Sequence, residues 1–233
     1  MYRKCILFLC LSLITLCPFA LGNAHAARPL SPPIKILLTG FEPFGGETTN
    51  PSWEAVKLVP SSLTNKIIIK HQLPVEFKAS VLALQKIIST EKPDVIISIG
   101  QAGNRSCLSL EKIAVNYVNA RIPDNAGFKP LNSPIVQDGP AAYFTTLPLI
   151  AMQANVEKHH LPCEISMSAG TYVCNYIMYK TLNWVKSNSP HTKVGFFHVP
   201  YSPEQTITKT NATPSMPLET MAQSITYALE ALD

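Results

Sequence analysis

Cys174 stands where two local signals meet. Residues 164–169 read as a strand, Gly170 permits a tight turn, and residues 173–186 carry a helical pattern. That spacing puts a thiol at a helix N-terminus, where the backbone N–H groups and the helix dipole favour a thiolate. His198 closes a second apolar run, Val194-Gly195-Phe196-Phe197, and an imidazole can take the proton of such a thiol and return it. The pair implies hydrolysis through a covalent thiolate adduct, with backbone N–H groups around Val173 and Cys174 facing the developing oxyanion. The competing reading of the same two residues is a buried structural cysteine and a histidine satisfied by local hydrogen bonds.

The elements needed to bring these groups together can be read from periodicity. Apolar runs at 34–38, 67–69, 95–99, 165–167 and 194–197 read as buried strands. Between them lie helical segments. Phe77, Val81, Leu84 and Ile88 share one helical face that Pro93 terminates, and Met221, Ile225, Ala228 and Leu232 share another, read as a packing helix. Asn50-Pro51 has the form of an N-cap followed by proline at the first helical position, so a helix carrying Trp53, Ala55 and Val56 is expected after the loop 40–49. Such alternation implies an α/β sandwich with helices on both faces of a central sheet. Strand-to-helix loops collect at the carboxyl edge of a parallel sheet, so the loop 40–49, the Gly170 turn and the end of the His198 strand are expected to build one cleft there.

Composition narrows the function classes. The chain has 233 residues, 19 basic and 15 acidic, for a formal net charge of +4. It opens with Arg3 and Lys4, an apolar stretch over 5–21 broken by Pro18, and then Ala24-His25-Ala26. This pattern reads as a secretory signal cleaved after Ala26 rather than a membrane anchor, which places a single domain at 27–233 outside the cytosol, secreted or periplasmic. Were the signal unused, the protein would be cytoplasmic. Without Arg3 and Lys4 the net charge is +2 and no basic tract remains, which argues against nucleic acid as a partner. No membrane association is expected after signal removal. Cys107, Cys163 and Cys174 remain, an odd count that points to a free thiol, with a Cys107–Cys163 disulfide left open. No CxxC or HExxH spacing occurs, so neither a metal nor another cofactor is expected.

A wider set of motifs is informative. Thr39-Gly40-Phe41-Glu42-Pro43-Phe44-Gly45-Gly46, Asn50-Pro51-Ser52-Trp53-Glu54-Ala55-Val56, Gly100-Gln101-Ala102-Gly103, Ala120-Arg121-Ile122-Pro123-Asp124-Asn125, Gly170-Thr171-Tyr172-Val173-Cys174-Asn175 and His198-Val199-Pro200 closely resemble the pyroglutamyl-peptidase I family of cysteine peptidases, in the same order over about 35–205. The resemblance implies a three-layer α/β/α sandwich with a central mixed sheet, of phosphorylase/hydrolase-like architecture. It also implies peptides with an N-terminal pyroglutamyl residue as substrates, and a homo-oligomer, commonly a tetramer. Glu111 stands where the family carries the acid of its Glu-Cys-His set. Read from its neighbours alone, it is a solvated residue on a strand edge. A carboxylate on the far imidazole nitrogen would fix the tautomer and stabilise imidazolium.

A pyroglutamyl group is a small neutral lactam without a free amine. Its site needs a flat apolar slot with partners for the ring N–H and C=O, and no carboxylate for an ammonium group. Phe41 and Phe44 sit in a loop, and the resemblance associates them with the ring pocket and Gln101 with polar contacts nearby; core packing is the alternative for either Phe. Tyr172 and Val173, beside the nucleophile, would complete the slot. Arg121 is read either as a second oxyanion donor or as a salt-bridge partner of Asp124. Asn104, where a second glycine is expected, and Asn119, where an aspartate usually precedes Ala120-Arg121, depart from the family pattern. Two other functions remain open on the same fold, a phosphorylase-like transferase and a catalytically silent secreted binding protein.

Overall fold

The computed structural model describes residues 32–209 and 212–232, so the expected signal segment and Cys5, Cys10 and Cys17 lie outside the described residues. Aliphatic and β-branched runs form the strands β1 (Ile34–Phe41), β2 (Ser62–Leu63), β3 (Lys66–Leu73) and β4 (Val95–Gln101), followed by β5 (Leu108–Glu111), β6 (Ile113–Val115), β7 (Ala142–Phe144), β8 (Cys163–Ser166) and β9 (Lys193–Val199). Seven of them make one sheet in the order β2-β3-β1-β4-β9-β5-β8, while β6 and β7 pair separately. Strands β3, β1, β4 and β9 are parallel neighbours, β2 is antiparallel to β3, and β5 runs against β9 with β8 parallel to β5. The central sheet is therefore mixed.

Alternation along the strands divides the core into two layers. Ile36, Leu38, Ile97, Ile99, Phe197, Leu108 and Leu110 face one side, where α1 (Pro51–Leu58), α3 (Leu149–Lys158) and α6 (Leu218–Glu230) pack. Leu37, Ile96, Val194 and Phe196 face the other, against α2 (Phe77–Glu91) and α4 (Val173–Asn188). In α2 the expected face is the buried one, and the helix ends at Lys92 in the left-handed conformation just before Pro93. A short helix, α5 (Pro203–Thr206), follows β9. Leu232 lies beyond the end of α6 but is buried with the rest of its expected face.

The start of α1 is built as its sequence suggests. Asn50 accepts a hydrogen bond from the Ser52 N–H at 3.0 Å, and its amide donates to the Glu42 carbonyl at 2.8 Å, so one side chain caps the helix and pins the preceding loop. Gly40 allows the end of β1 to abut this helix, because a Cβ there would lie 2.6 Å from the Trp53 Cα.

Three expectations are corrected. The strand read at 164–169 starts one residue earlier and stops at Ser166, and Met167 is 65% exposed, its apolar side chain having no core to enter. The Gly170 turn does not follow a strand parallel to β9, since β8 runs the other way; its loop reaches the cleft by crossing back to it. Glu111 is no solvated edge residue, because it ends an internal strand and is 0% exposed.

Candidate active site

Cys174 is the second residue of α4. Gly170 takes the left-handed turn ahead of it (φ +77°), and the side chain of the N-cap residue Tyr172 makes no capping hydrogen bond, so no capping side chain competes for the first-turn N–H groups beside the thiol. Asn175 anchors this end of the helix: buried, it accepts from the Val115 N–H at 2.9 Å and donates to the Val115 and Tyr117 carbonyls, each at 3.0 Å. Thr171 adds a second tie, its hydroxyl donating to the Asn119 carbonyl at 2.9 Å while the Asn119 N–H donates to the Thr171 carbonyl at 3.1 Å. The Asn119 departure thus falls where the backbone does the holding.

His198, 4% exposed, lies next to the end of β9 on the same face as Phe196 and Val194. Its Nδ1 is 2.8 Å from the Glu111 Oε1, which leaves Nε2 for the hydrogen bond with Cys174. Burial alone would favour the neutral imidazole. The charge of a Cys174 thiolate and its hydrogen bond, joined by the hydrogen bond and charge of Glu111, outweigh that cost and push the pKa up to about 9. At neutral pH the arrangement favours the imidazolium form of His198.

Behind His198, Glu111 uses Oε1 for both of its contacts, with His198 and with Arg105 Nη2 at 3.3 Å, while its buried Oε2 has no hydrogen-bond partner among the described residues. Arg105 had no signal of its own in the sequence. The other thiols are unlike Cys174. Both are buried and free, with burial raising Cys107 and taking Cys163 to about 12, which keeps them protonated.

Cys174 and His198 open onto a cavity of about 540 Å³. Phe41, Phe44, Gln101, Arg121, Tyr172 and Val173 all line it, as do Asn50, Val75, Ile122 and Tyr201, which sequence reasoning did not assign to the site. Phe41 serves two readings at once: it is 3% exposed and packs on Phe196 with ring centroids 6.3 Å apart, yet it forms part of the cavity wall. Phe44 is less buried and faces Tyr172 across 6.4 Å. Burial, with the nearby charges of Asp124 and Cys174, pushes the Tyr172 phenol up to about 12, and its hydroxyl donates to the Pro123 carbonyl at 2.9 Å.

The orientation of the Gln101 amide follows from its neighbours. The Ser202 N–H can only donate, and it does so to the Gln205 Oε1 at 3.2 Å, which turns the Gln205 amine towards the Gln101 Oε1 at 3.2 Å. The amine of Gln101 is thereby left to donate elsewhere. Arg121 makes no ion pair with Asp124, whose carboxylate instead accepts from the N–H groups of Phe77, Ala126 and Phe128 at 2.8–3.0 Å. Asn104 is not among the described non-glycine residues with positive φ, so replacing glycine there brings no left-handed strain. Gly103 is different: a Cβ would lie 2.1 Å from the Tyr201 ring. Among the described residues no group of three His, Cys, Asp or Glu side chains could hold a metal ion, and no helix is long and apolar enough to cross a membrane.

The sequence and the mixed α/β fold that carries Glu111, Cys174 and His198 have counterparts in known proteins. The model of the pyroglutamyl peptidase family matches residues 34–233. The pyrrolidone-carboxylate peptidase of Enterococcus faecalis is 47% identical over 198 residues, covering 85% of this chain and 92% of its own. The crystal structure of pyroglutamyl peptidase I from Bacillus amyloliquefaciens superposes with a TM-score of 0.83 at 42% identity, covering 85% of this chain and 94% of that one. For the pyrrolidone carboxyl peptidase of Thermococcus litoralis the TM-score is 0.81 at 40% identity, over 85% and 92%. The chain belongs to the pyroglutamyl peptidase family of cysteine-type hydrolases.

Proposed function

We propose that the chain hydrolyses the amide bond after an N-terminal pyroglutamyl residue, with Cys174 as nucleophile, His198 as proton carrier and Glu111 as the group that orients and charges His198. The observation that carries this reading is the buried 2.8 Å contact between His198 and Glu111, with the thiol on the other side of the ring at the cavity floor. The thiolate attacks the carbonyl carbon, and the tetrahedral oxyanion is met by first-turn N–H groups of α4, with Arg121 as a further donor. Collapse breaks the C–N bond, and imidazolium gives its proton to the leaving amine. Water then attacks the thioester, with the neutral imidazole accepting its proton, and the thiolate returns.

Phe41, Phe44, Tyr172 and Val173 provide the apolar walls for the lactam, and the free amine of Gln101 offers a donor for the ring carbonyl. The family relationship favours this reading over a transferase. Release of a reporter amine from a pyroglutamyl amide tests it. The wild-type protein should release the amine and Cys174→Ala should not, and near wild-type turnover by Cys174→Ala would refute the assignment. Export with cleavage after Ala26 belongs to the same proposal, supported by the basic start, apolar stretch and Ala24-His25-Ala26 pattern. Protein from the native host should then begin at Ala27, whereas an intact Met1 on soluble cytosolic protein would refute export. Assembly into a homo-tetramer is the remaining part of the proposal, and its mass in solution decides it.

A further inference from the structure

One group of charged side chains is built against the hydrolytic set without entering its chemistry. Ser109 and Glu111 are two residues apart in β5 and so project from one face; Glu164 and Ser166 do the same in β8. The register pairs Ser109 with Glu164 and Glu111 with Ser166, and pairs Ser109 with His198 on the other side. Arg105, from the turn after β4, lies across this face. Its Nη1 donates to the Glu164 Oε1 at 2.6 Å, and its Nη2 donates to the Ser166 Oγ at 2.8 Å, the Ser168 carbonyl at 3.2 Å and the Glu111 Oε1 at 3.3 Å. The Ser109 hydroxyl donates to the same Glu164 oxygen at 2.7 Å.

Taken as a surface ion pair, Glu164–Arg105 would count for little, since the Glu164 side chain is 46% exposed. The other end of the guanidinium gives the pair its importance. Glu111 is fully buried, relies on a single oxygen for both its contacts, and among the described residues has only His198 and Arg105 to fix its plane. The Arg105–Glu111 contact is the longest of the four, so the guanidinium must be held by its other partners for that contact to persist.

We infer that Glu164 is a positioning residue: by anchoring the Arg105 guanidinium it holds the Glu111 carboxylate against His198, completing a series of five alternating charges that ends at Cys174. This inference rests on the proposed hydrolysis. Arg105 by itself would weaken the pull of Glu111 on imidazolium, and the carboxylate of Glu164 offsets that positive charge. The Ser109 hydroxyl, against the opposing effect of partial burial and with the help of Arg105, holds the Glu164 carboxyl below the usual carboxylate range, so the offsetting charge is present at neutral pH. Among the described residues, Cys107 and Cys163 face Glu164, with Glu157 acting on Cys163, and Tyr172 faces Cys174, with Asp124 and Arg121 acting on Tyr172. Burial keeps the two thiols and the phenol uncharged at neutral pH.

Glu164→Gln retains an acceptor oxygen and removes only the charge. It should lower kcat about 3- to 10-fold on a pyroglutamyl amide with KM little changed. The alkaline limb of the kcat/KM profile should move to lower pH by about 0.3–0.5 unit, because imidazolium loses part of its support. Glu164→Asp should restore the limb. Arg105→Gln should cost more, and in that background Glu164→Gln should cost nothing further, since it acts only through the guanidinium. Wild-type kcat and an unmoved limb in Glu164→Gln, or additive losses in the double variant, would overturn the inference. Because Cys174→Ala is inactive on the proposed reaction, such a result alongside a dead Cys174→Ala removes only Glu164, whereas an active Cys174→Ala removes the reaction itself. Should Arg105→Gln fail to fold, the Gln and Asp variants of Glu164 still decide.

Discussion

The carboxylate of Glu111 shows what a single residue can and cannot reveal before it is placed. Cys174 and His198 were legible from their positions, because a thiol at a helix start and an imidazole at the end of an apolar run are local patterns. Glu111 was not, for an acid within an apolar segment ordinarily points to water, and only its likeness to a family position marked it. Its burial is made tolerable by His198 and Arg105, which lie far along the chain or in an unremarkable turn. Glu111→Gln should leave the fold intact, since the amide oxygen can still accept from Nδ1, and should reduce kcat less than Cys174→Ala does. With the negative charge gone, the imidazolium pKa should fall below about 9, moving the alkaline limb of the pH–rate profile down. A wild-type kcat and pH profile would reduce the set to a Cys174/His198 dyad.

At the scale of elements, the parallel strands β1, β4 and β9 announce themselves as apolar runs because both of their faces are covered, while β3 shows only its short run Ile67-Ile68-Ile69. The short strands escape such a reading, β5 because it alternates polar and apolar residues and β6 and β7 because they are three residues long, as does the direction of β8, which is set by its partner β5 rather than by its own sequence. Helix α3 carries Leu149, Met152 and Val156 at the spacing of a helical face, but no capping side chain marks its start. The junction of elements at the thiol carries a sharp constraint. Gly100, paired with His198 across β4 and β9, faces Cys174, and a Cβ there would lie 2.9 Å from the sulfur and 2.8 Å from the Phe196 ring. Gly100→Ala should therefore push the thiol off its line with the imidazole, lowering kcat by about 100-fold in a folded protein. Steady-state kinetics with a thermal melt as control would check this, and unaltered kcat would mean that the ring and thiol yield without cost.

For the whole molecule, the charge state of His198 links the site to stability. Its folded-state pKa of about 9 lies above the unfolded value of about 6.5. The raised value means that the folded form binds the proton more tightly, so this contribution is complete below about pH 6.5 and is lost as pH rises through about 9. The melting temperature should accordingly decline between pH 6.5 and 9.5 more steeply in the wild type than in His198→Gln, as followed by circular dichroism. Equal slopes would show that the imidazolium adds nothing to the fold.

The cavity has two arginines in its lining, Arg105 and Arg121, and no aspartate or glutamate among the described residues. On the proposed reaction this asymmetry sets a counting rule. A blocked peptide enters without a charged amine, but the shortened peptide leaves with a fresh ammonium group for which the lining offers no aspartate or glutamate. The trimmed chain is thus disqualified from a second round, and the protein works as a single-step unblocker, exposing one new N-terminus per chain and leaving everything beyond it to other peptidases.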